Sequence, residues 1–458
     1  MFIGRKEEIK QLIKFLNSDR QENIVIYGRR RIGKSELIKE VLNQINKPFI
    51  FYQAKETTLE DNVDSLGKLI TAHFKLGLLK FTSLESIFDF IFSQGNDIIL
   101  VIDEYPYLTA LEKGLDSILQ SCIDLNKNKS TLKLVLLGSY IDIMSKLNEL
   151  DNPLYGRISS MMFIGEMNYQ DASLFYSNVE LDTKVKYYSV FGGVPYYNSL
   201  IDSNKSFKDN MIDLIIRNNS QLGDFIEMTL SKELRKLNNA NMVFTAIAGG
   251  KTKFNDILSI FSTTMSSAAL TYVLNDLIKM DLIHKQIPMN EPINSRKTYY
   301  EIKDNFIDFY YRYIYKFASS KNVLSPSDFY DEVIKEDFES KYVPKKFEKI
   351  AKEYLIIQNK QGLIKPVLLD LGKVWFDNPR EKTNGEFDLV SKDKQGYIIY
   401  EVKYTDKSIK EDVLNKLKYQ IDLSKLEYYK IGLISKNGLN IQNPENYYLK
   451  TLKDLYTF

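Results

Sequence analysis

The amino-acid sequence predicts an α/β chain. A parallel sheet covered by helices comes first, then a helical stretch, a small helical module ending in a two-stranded ribbon, and a second α/β segment. Three observations carry this. Apolar, β-branched runs at 24–27, 48–52, 98–102 and 134–137, with a shorter one at 161–164, alternate with helical patterns, as strands buried on both faces between crossover helices do. A loop of the form G-x-x-x-x-G-K-S, Gly28-Arg29-Arg30-Arg31-Ile32-Gly33-Lys34-Ser35, joins the first run to the helical stretch that begins at Glu36. From Phe347 onward a helical pattern gives way to short strands.

Composition sets the bounds. With 458 residues, 44% hydrophobic and 13% aromatic, the chain is long enough for about three domains with their own cores. It contains no apolar run of membrane-spanning length and opens Met1-Phe2-Ile3-Gly4-Arg5 without a leader-like core, so the expected location is cytoplasmic, with no membrane partner. The single Cys122 cannot form an internal disulfide, and with only His73 and His284 no His/Cys zinc cluster can be built; all three read as structural. A net charge of +2 falls short of a dedicated nucleic-acid binder, so any such contact must come from a local patch.

Taken in order, the loop after the first strand is a phosphate cradle. Its glycines let the backbone curl so that N–H groups face phosphate oxygens, and the following helix adds the positive end of its dipole. Lys34 is expected on the β- and γ-phosphates and the Ser35 hydroxyl on Mg²⁺. The third run ends Ile98-Ile99-Leu100-Val101-Ile102-Asp103-Glu104. On a strand expected beside the loop strand, Asp103 would hold the metal and Glu104 orient the attacking water. The fourth run ends Gly138-Ser139, a hydroxyl where a γ-phosphate sensor or a plain loop cap belongs. Phe191-Gly192-Gly193-Val194-Pro195-Tyr196 breaks the helical stretch that follows.

Residues 243–248, 254–261 and 266–280 have helical periodicity and precede strand-like runs at 282–287 and 298–302. This is the winged-helix order, with the third helix as recognition helix and Asn294-Ser295-Arg296-Lys297 as the wing tip. Yet Ser266 to Asp276 contains no Lys or Arg, which suits protein packing at least as well as base reading. The aromatic segment from Phe306 to Tyr315 reads as a domain-joining core. Ser325-Pro326-Ser327 and Tyr342-Val343-Pro344 read as the hinge into the last domain. There, Asp388 lies within a strand, and Glu401 and Lys403, two apart, share one face of the next. Two acids and a lysine so placed can bind a divalent metal and steady a water against a phosphodiester, or simply form a solvated strand face.

Together these motifs resemble the archaeal-type ATPases, a branch of the AAA+/STAND P-loop superfamily, over nearly the whole chain. Phe2-Ile3-Gly4-Arg5-Lys6-Glu7-Glu8 is similar to the family's F-x-G-R-x-x-E opening, which places Gly4 and Arg5 near the adenine. The loop from Gly28 to Ser35, with Arg29, Arg30, Arg31 and Ile32, is similar to its G-R-R-R-x-G-K-[ST] segment, and these residues with the following Glu36 are expected at the nucleotide. Leu154-Tyr155-Gly156-Arg157 resembles L-x-G-R, which makes Arg157 a candidate finger toward the γ-phosphate, in its own subunit or a neighbour's. Gly192-Gly193-Val194-Pro195 resembles G-G-x-P, whose proline packs near the base. The resemblance also implies a C-terminal domain like the PD-(D/E)xK (restriction-endonuclease-like) nucleases, with Asp388, Glu401, Lys403 and the helix acid Glu348 filling that pattern and Mg²⁺ or Mn²⁺ as the metal. The proline expected before the first acid is absent, since Gly385-Glu386-Phe387 precedes Asp388.

The resulting expectation is a P-loop ATPase core at 1–165, a helical lid at 166–235, a winged-helix domain at 236–320, and a linker with the nuclease-like domain at 321–458. It would bind ATP or ADP, hydrolyse ATP with Mg²⁺, and couple turnover to binding or metal-dependent cleavage of DNA or RNA, with a homo-oligomer as a further expected partner state. The rival is a STAND-like switch whose last domain only binds a partner; a toxin or stress module is a third reading.

Overall fold

The computed structural model describes the chain except residues 1, 78, 95–96, 128, 234–238, 262–263, 291–296, 379–380, 382 and 458. It divides into two compact units. One comprises Met1–Met167 with Val194–Tyr196 and Lys279–Asp281, the other Asn168–Gly193, Tyr197–Ile278 and Leu282–Phe458.

In the first unit, strands β1 (Glu22–Tyr27), β2 (Phe49–Gln53), β3 (Ile99–Asp103), β4 (Lys133–Gly138) and β5 (Ser160–Phe163) form a wholly parallel sheet in the order β2-β3-β4-β1-β5. Every apolar run named from the sequence became a strand, shifted by a residue or two. β3 and β4 are buried along their whole length, because helices α1 (Lys6–Leu16), α2 (Lys34–Gln44), α3 (Leu59–Phe74), α4 (Leu84–Gln94), α5 (Tyr105–Leu111) and α6 (Leu115–Asn126) accompany the sheet. Leu66, Phe88, Leu100, Leu119 and Leu134 share one core, each contributing roughly 1.5–3 kcal/mol by leaving water. One expectation fails here: β3 is not the neighbour of β1, because β4 lies between them. That inserted strand carries Ser139 at its tip, with consequences for the site.

In the second unit, the helix Leu181–Phe191 stops at Gly192, whose φ of 55° few other residues adopt. Helices Ala240–Ala248, Phe254–Ile260 and Ser267–Lys279 precede the antiparallel pair β6 (Ile283–Gln286) and β7 (Tyr299–Ile302), the order the sequence sets out. Of the wing tip, Lys297 is described, whereas Asn294, Ser295 and Arg296 lie outside the described residues. The aromatic segment is interior up to Ile314, with Tyr315 exposed: Tyr311 stacks on Phe244 with centroids 4.9 Å apart, and Arg312 pairs with Asp337 at 2.8 Å.

The expected hinge is not one. Ser325 caps the helix Pro326–Phe329 by accepting from the Asp328 amide, Pro344 sits in the first turn of the helix Val343–Lys360, and the chain stays helical from Pro326 to Lys360. Pro326 marks a helix start, since its missing N–H has no partner in a first turn anyway, whereas Pro344 lies within the continuous helical run, directly after the π-helical turn Phe338–Tyr342. The chain then adds β8 (Asp370–Asn378), β9 (Thr383–Lys392), β10 (Tyr397–Lys403), β11 (Ile409–Lys410), β12 (Lys430–Ser435), β13 (Leu439–Asn440) and β14 (Tyr448–Thr451). The main sheet, β14-β12-β10-β9-β8, is mixed: antiparallel through β8, β9 and β10, parallel through β10, β12 and β14.

Candidate functional site

The phosphate loop leaves β1 at Gly28, where an added Cβ would fall 2.2 Å from the Ile164 carbonyl oxygen, so no larger residue fits. Gly33, at φ 91°, starts α2. The Lys34 ammonium is buried and donates to the carbonyls of Gly28 and Arg29 at 2.9 and 3.0 Å and to Ser139 Oγ at 3.0 Å. Ser139 Oγ in turn donates to Glu104 Oε1 at 2.9 Å. This lysine–serine–glutamate chain exists because β4 stands between β1 and β3. Burial pulls the Lys34 pKa down to about 8, with Glu104 and Asp103 opposing the fall and Arg30 adding to it.

Ser35 Oγ donates to Asp103 Oδ2 at 2.6 Å, and the Glu104 amide to Asp103 Oδ1 at 2.9 Å. Glu104 adopts φ 54°, ψ 44° at the start of α5, a left-handed conformation that costs a non-glycine residue roughly 1–2 kcal/mol. Its Oε2 is buried without a hydrogen-bond partner. The Ser35 hydroxyl in the first turn of α2, and a carboxylate and an orphaned carboxylate oxygen at the tip of β3, are hard oxygen donors suited to Mg²⁺ with a nucleotide.

Other expected residues sit differently. Gly4 has φ 70°, and Arg5 is buried and donates to the carbonyls of Ile32 and Gly165 at 3.3 and 2.5 Å while pairing with Glu8 at 3.2 Å. It braces the loop from behind. Ile32 is buried beneath the loop, Arg31 lies over the Tyr196 ring with its guanidinium carbon 3.8 Å from the centroid, and Pro195 Cγ is 3.7 Å from where a Gly33 Cβ would be. Glu36 is exposed and pairs with Lys39 at 2.8 Å.

Arg157 does not reach its own loop. Its carbonyl accepts from Asn23 Nδ2 at 2.8 Å, at the amino end of β1, while the loop leaves from the carboxyl end. The four residues between span on the order of 13 Å. Its guanidinium is held by Asp124, at 2.7 Å from Nη2. The sequence reading also missed Tyr107 and Tyr140, whose hydroxyls accept from Arg30 Nη2 at 3.3 and 3.0 Å; their adjacency to Glu104 and Ser139 was the available signal.

In the second unit, a cavity of about 590 Å³ is lined by Glu348, Lys373, Trp375, Glu386, Asp388 and Lys345, among others. The β9–β10 ladder ends with Tyr400 opposite Leu389, and Glu401 and Asp388 are the next residues along the two strands. The acids are nevertheless held separately: Asp388 pairs with Lys373 at 2.5 Å and Glu401 with Lys403 at 2.5 Å. Among the described residues no group of three or more His, Cys, Asp or Glu is gathered closely enough to hold a metal. The expected metal ligands Asp388 and Glu401 are therefore ion-paired instead. Lys373 was not foreseen. It occupies the β-bulge between Gly372 and Val374, and a bulge re-aims a side chain in a way no alternation pattern reveals. Burial opposes its charge, but Asp388 and Glu386 raise its pKa. Burial first, then the nearby Asp388, pushes the Glu348 carboxyl up to about 8.

Fold and loop together define a Walker-type ATPase domain followed by a helical region and a mixed-sheet domain. Residues 2–201 match a family described as an ATPase domain predominantly from Archaea, and residues 310–416 one described as archaeal and bacterial proteins of unknown function. An uncharacterized protein of Methanocaldococcus jannaschii is 31% identical over 457 residues, covering 97% of each chain. The chain belongs to this family of archaeal-type ATPase-domain proteins. An uncharacterized ATP-binding protein of the same organism is 43% identical over 53 residues, 11% of this chain and 90% of its own. The solved structure of a Walker-type ATPase of Pyrococcus abyssi matches with a TM-score of 0.51 at 20% identity, over 68% of this chain and 96% of that one, a likeness of fold. No helix among the described residues is long and apolar enough to cross a membrane.

Proposed function

We propose that the first unit binds ATP with Mg²⁺ and hydrolyses its γ-phosphate bond. The observation that carries this is the hydrogen-bonded chain Lys34–Ser139–Glu104 beside the Ser35–Asp103 contact. Lys34, freed from the loop carbonyls, would bind the β- and γ-phosphates, and the loop amides would hold their remaining oxygens. Glu104, with one oxygen unspent, would orient the attacking water and take its proton. Bound Mg²⁺, held by Ser35 and Asp103, would supply neutralisation of the phosphate charge. Calorimetry on the full chain tests this: the wild type should bind Mg-ATP, and Lys34→Ala should lose that binding. Equal affinity for the two would refute it.

For the second unit we infer action on a nucleic-acid phosphodiester, with Asp388 and Glu401 as metal ligands, Lys403 facing the phosphate, and Glu348 completing the set. Its support is the β9–β10 ladder, whose last pair, Tyr400 with Leu389, leaves Glu401 and Asp388 as the next residue on each strand. The switch reading has its own support. Asp388 and Glu401 are already neutralised by lysines, and the helix Ser267–Lys279 carries its one basic residue at its last position. Cleavage assays of the full chain on single-stranded and duplex DNA and RNA, with Mg²⁺ or Mn²⁺ and with or without ATP, separate the two. Cleavage abolished by Asp388→Ala supports the first reading, and none under any condition leaves the switch.

A further inference from the structure

Because Arg157 lies at the far end of the sheet, any cation that stabilises charge on the transferring phosphoryl group within one chain must come from elsewhere. Arg30 is placed for it. The Lys34 ammonium rests against the carbonyls of Gly28 and Arg29, so the Arg30 backbone begins where that charge ends. Its Nη2 donates to the hydroxyls of Tyr107 and Tyr140 at 3.3 and 3.0 Å, and its guanidinium carbon lies 5.4 Å from the Tyr140 ring centroid. The two rings meet edge to face, centroids 6.3 Å apart.

The holder is built from the same strand tips as the chemistry. Tyr107 lies on α5, which Glu104 starts, and Tyr140 follows Ser139 at the end of β4. Among the described residues no carboxylate lies within ion-pair distance of Arg30, and its Nε and Nη1 donate to nothing. Two neutral phenols and a ring orient a guanidinium while leaving its charge and part of its donor fork unspent. Each of those contacts is weaker than a charge-assisted bond to phosphate, so a bound γ-phosphate can draw the fork forward.

We propose that Arg30 is a catalytic cation supplied by the loop itself, directed at the γ-phosphoryl group of ATP bound to the same chain, with Tyr107 and Tyr140 as positioning residues. This rests on the ATPase reading above. In the step it serves, the water oxygen bonds to the γ-phosphorus while the bridging bond breaks, its electron pair leaving on the β-phosphate of ADP. The water proton passes to Glu104. Arg30 stabilises the charge spread over the γ-oxygens as this happens.

The test measures Mg-ATP turnover, ATP affinity and affinity for ADP with aluminium fluoride, on the full-length wild type, Arg30→Ala, Arg30→Lys and the double variant Tyr107→Phe/Tyr140→Phe. Arg30→Ala should keep ATP affinity within about threefold yet lose on the order of a hundredfold or more in kcat, together with tight binding of the fluoride complex. Arg30→Lys, which keeps the charge but not the fork, should recover only part of kcat. The double phenylalanine variant should lower kcat about tenfold with KM unchanged, because the cation stays but its aim is lost. Turnover per chain should not change with protein concentration. Wild-type kcat in both Arg30 variants overturns the proposal, as does a turnover that rises with protein concentration and ignores Arg30. A wild type that binds no ATP overturns the ATPase reading beneath it, which is a distinguishable failure.

Discussion

Replacing Glu348 with glutamine should stabilise the second unit, and increasingly so as pH rises. Glu348 lies on the helix Val343–Lys360; burial and then Asp388 raise its pKa from 4.5 to about 8, against the pull of Lys373, Lys345 and Lys403. A folded-state pKa above the unfolded one means that the fold retains a proton the unfolded chain has released. Stability is therefore fully present below pH 4.5 and falls as pH rises toward 8. At 1.36 kcal/mol per pH unit the whole shift would amount to roughly 5 kcal/mol, and solvent around a half-buried carboxylate reduces this to about 2–3 kcal/mol. Glutamine keeps the shape and removes the titration. Urea unfolding in the presence of a chelator, followed by the fluorescence of Trp375, the chain's sole tryptophan and a wall of the same cavity, reads this directly. The two proteins should agree near pH 5 and diverge by about 2–3 kcal/mol at pH 8. Parallel profiles across that range would refute the reasoning.

Glu104→Gln should keep ATP affinity and lose turnover by about a hundredfold or more, because the amide can hold a water but cannot take its proton; unchanged kcat in a coupled phosphate-release assay would count against that role. Mg²⁺ or Mn²⁺ should raise the melting temperature of the second unit by several degrees, an effect absent in Asp388→Ala and larger in Lys373→Met, where the resident ammonium no longer competes; no metal effect in either would end the metal reading. Arg157→Ala should leave single-chain turnover unaffected at high dilution, and a fall in kcat there would show that the side chain reaches its own nucleotide after all. Gly28→Ala should destabilise the first unit by about 3 kcal/mol or more, because the new methyl meets the Ile164 carbonyl, which belongs to backbone and cannot rotate aside; thermal melting decides it.

Local chemistry decided much of this protein in advance. The apolar runs at 24–27, 98–102 and 134–137 could only be interior strands, since both faces of each are greasy, and the two glycines around Arg29–Ile32 required a curled loop before a helix. The aromatic stretch around Tyr311 became core because rings of that density must leave water. Alternation likewise put Glu401 and Lys403 on one face, where they now pair.

What the sequence alone left undecided were matters of neighbourhood. Strand order put β4 rather than β3 beside β1, and with it Ser139 between Lys34 and Glu104. The end of the sheet at which a segment docks turned Arg157 away from the loop and toward Asp124. A single extra residue in β8 aimed Lys373 at Asp388. Periodicity is written residue by residue in the local chain and survives without tertiary context. Order, sheet end and bulge are set by packing between segments far apart in sequence, where the energies that choose among arrangements are shared over many side chains and recorded in none of them.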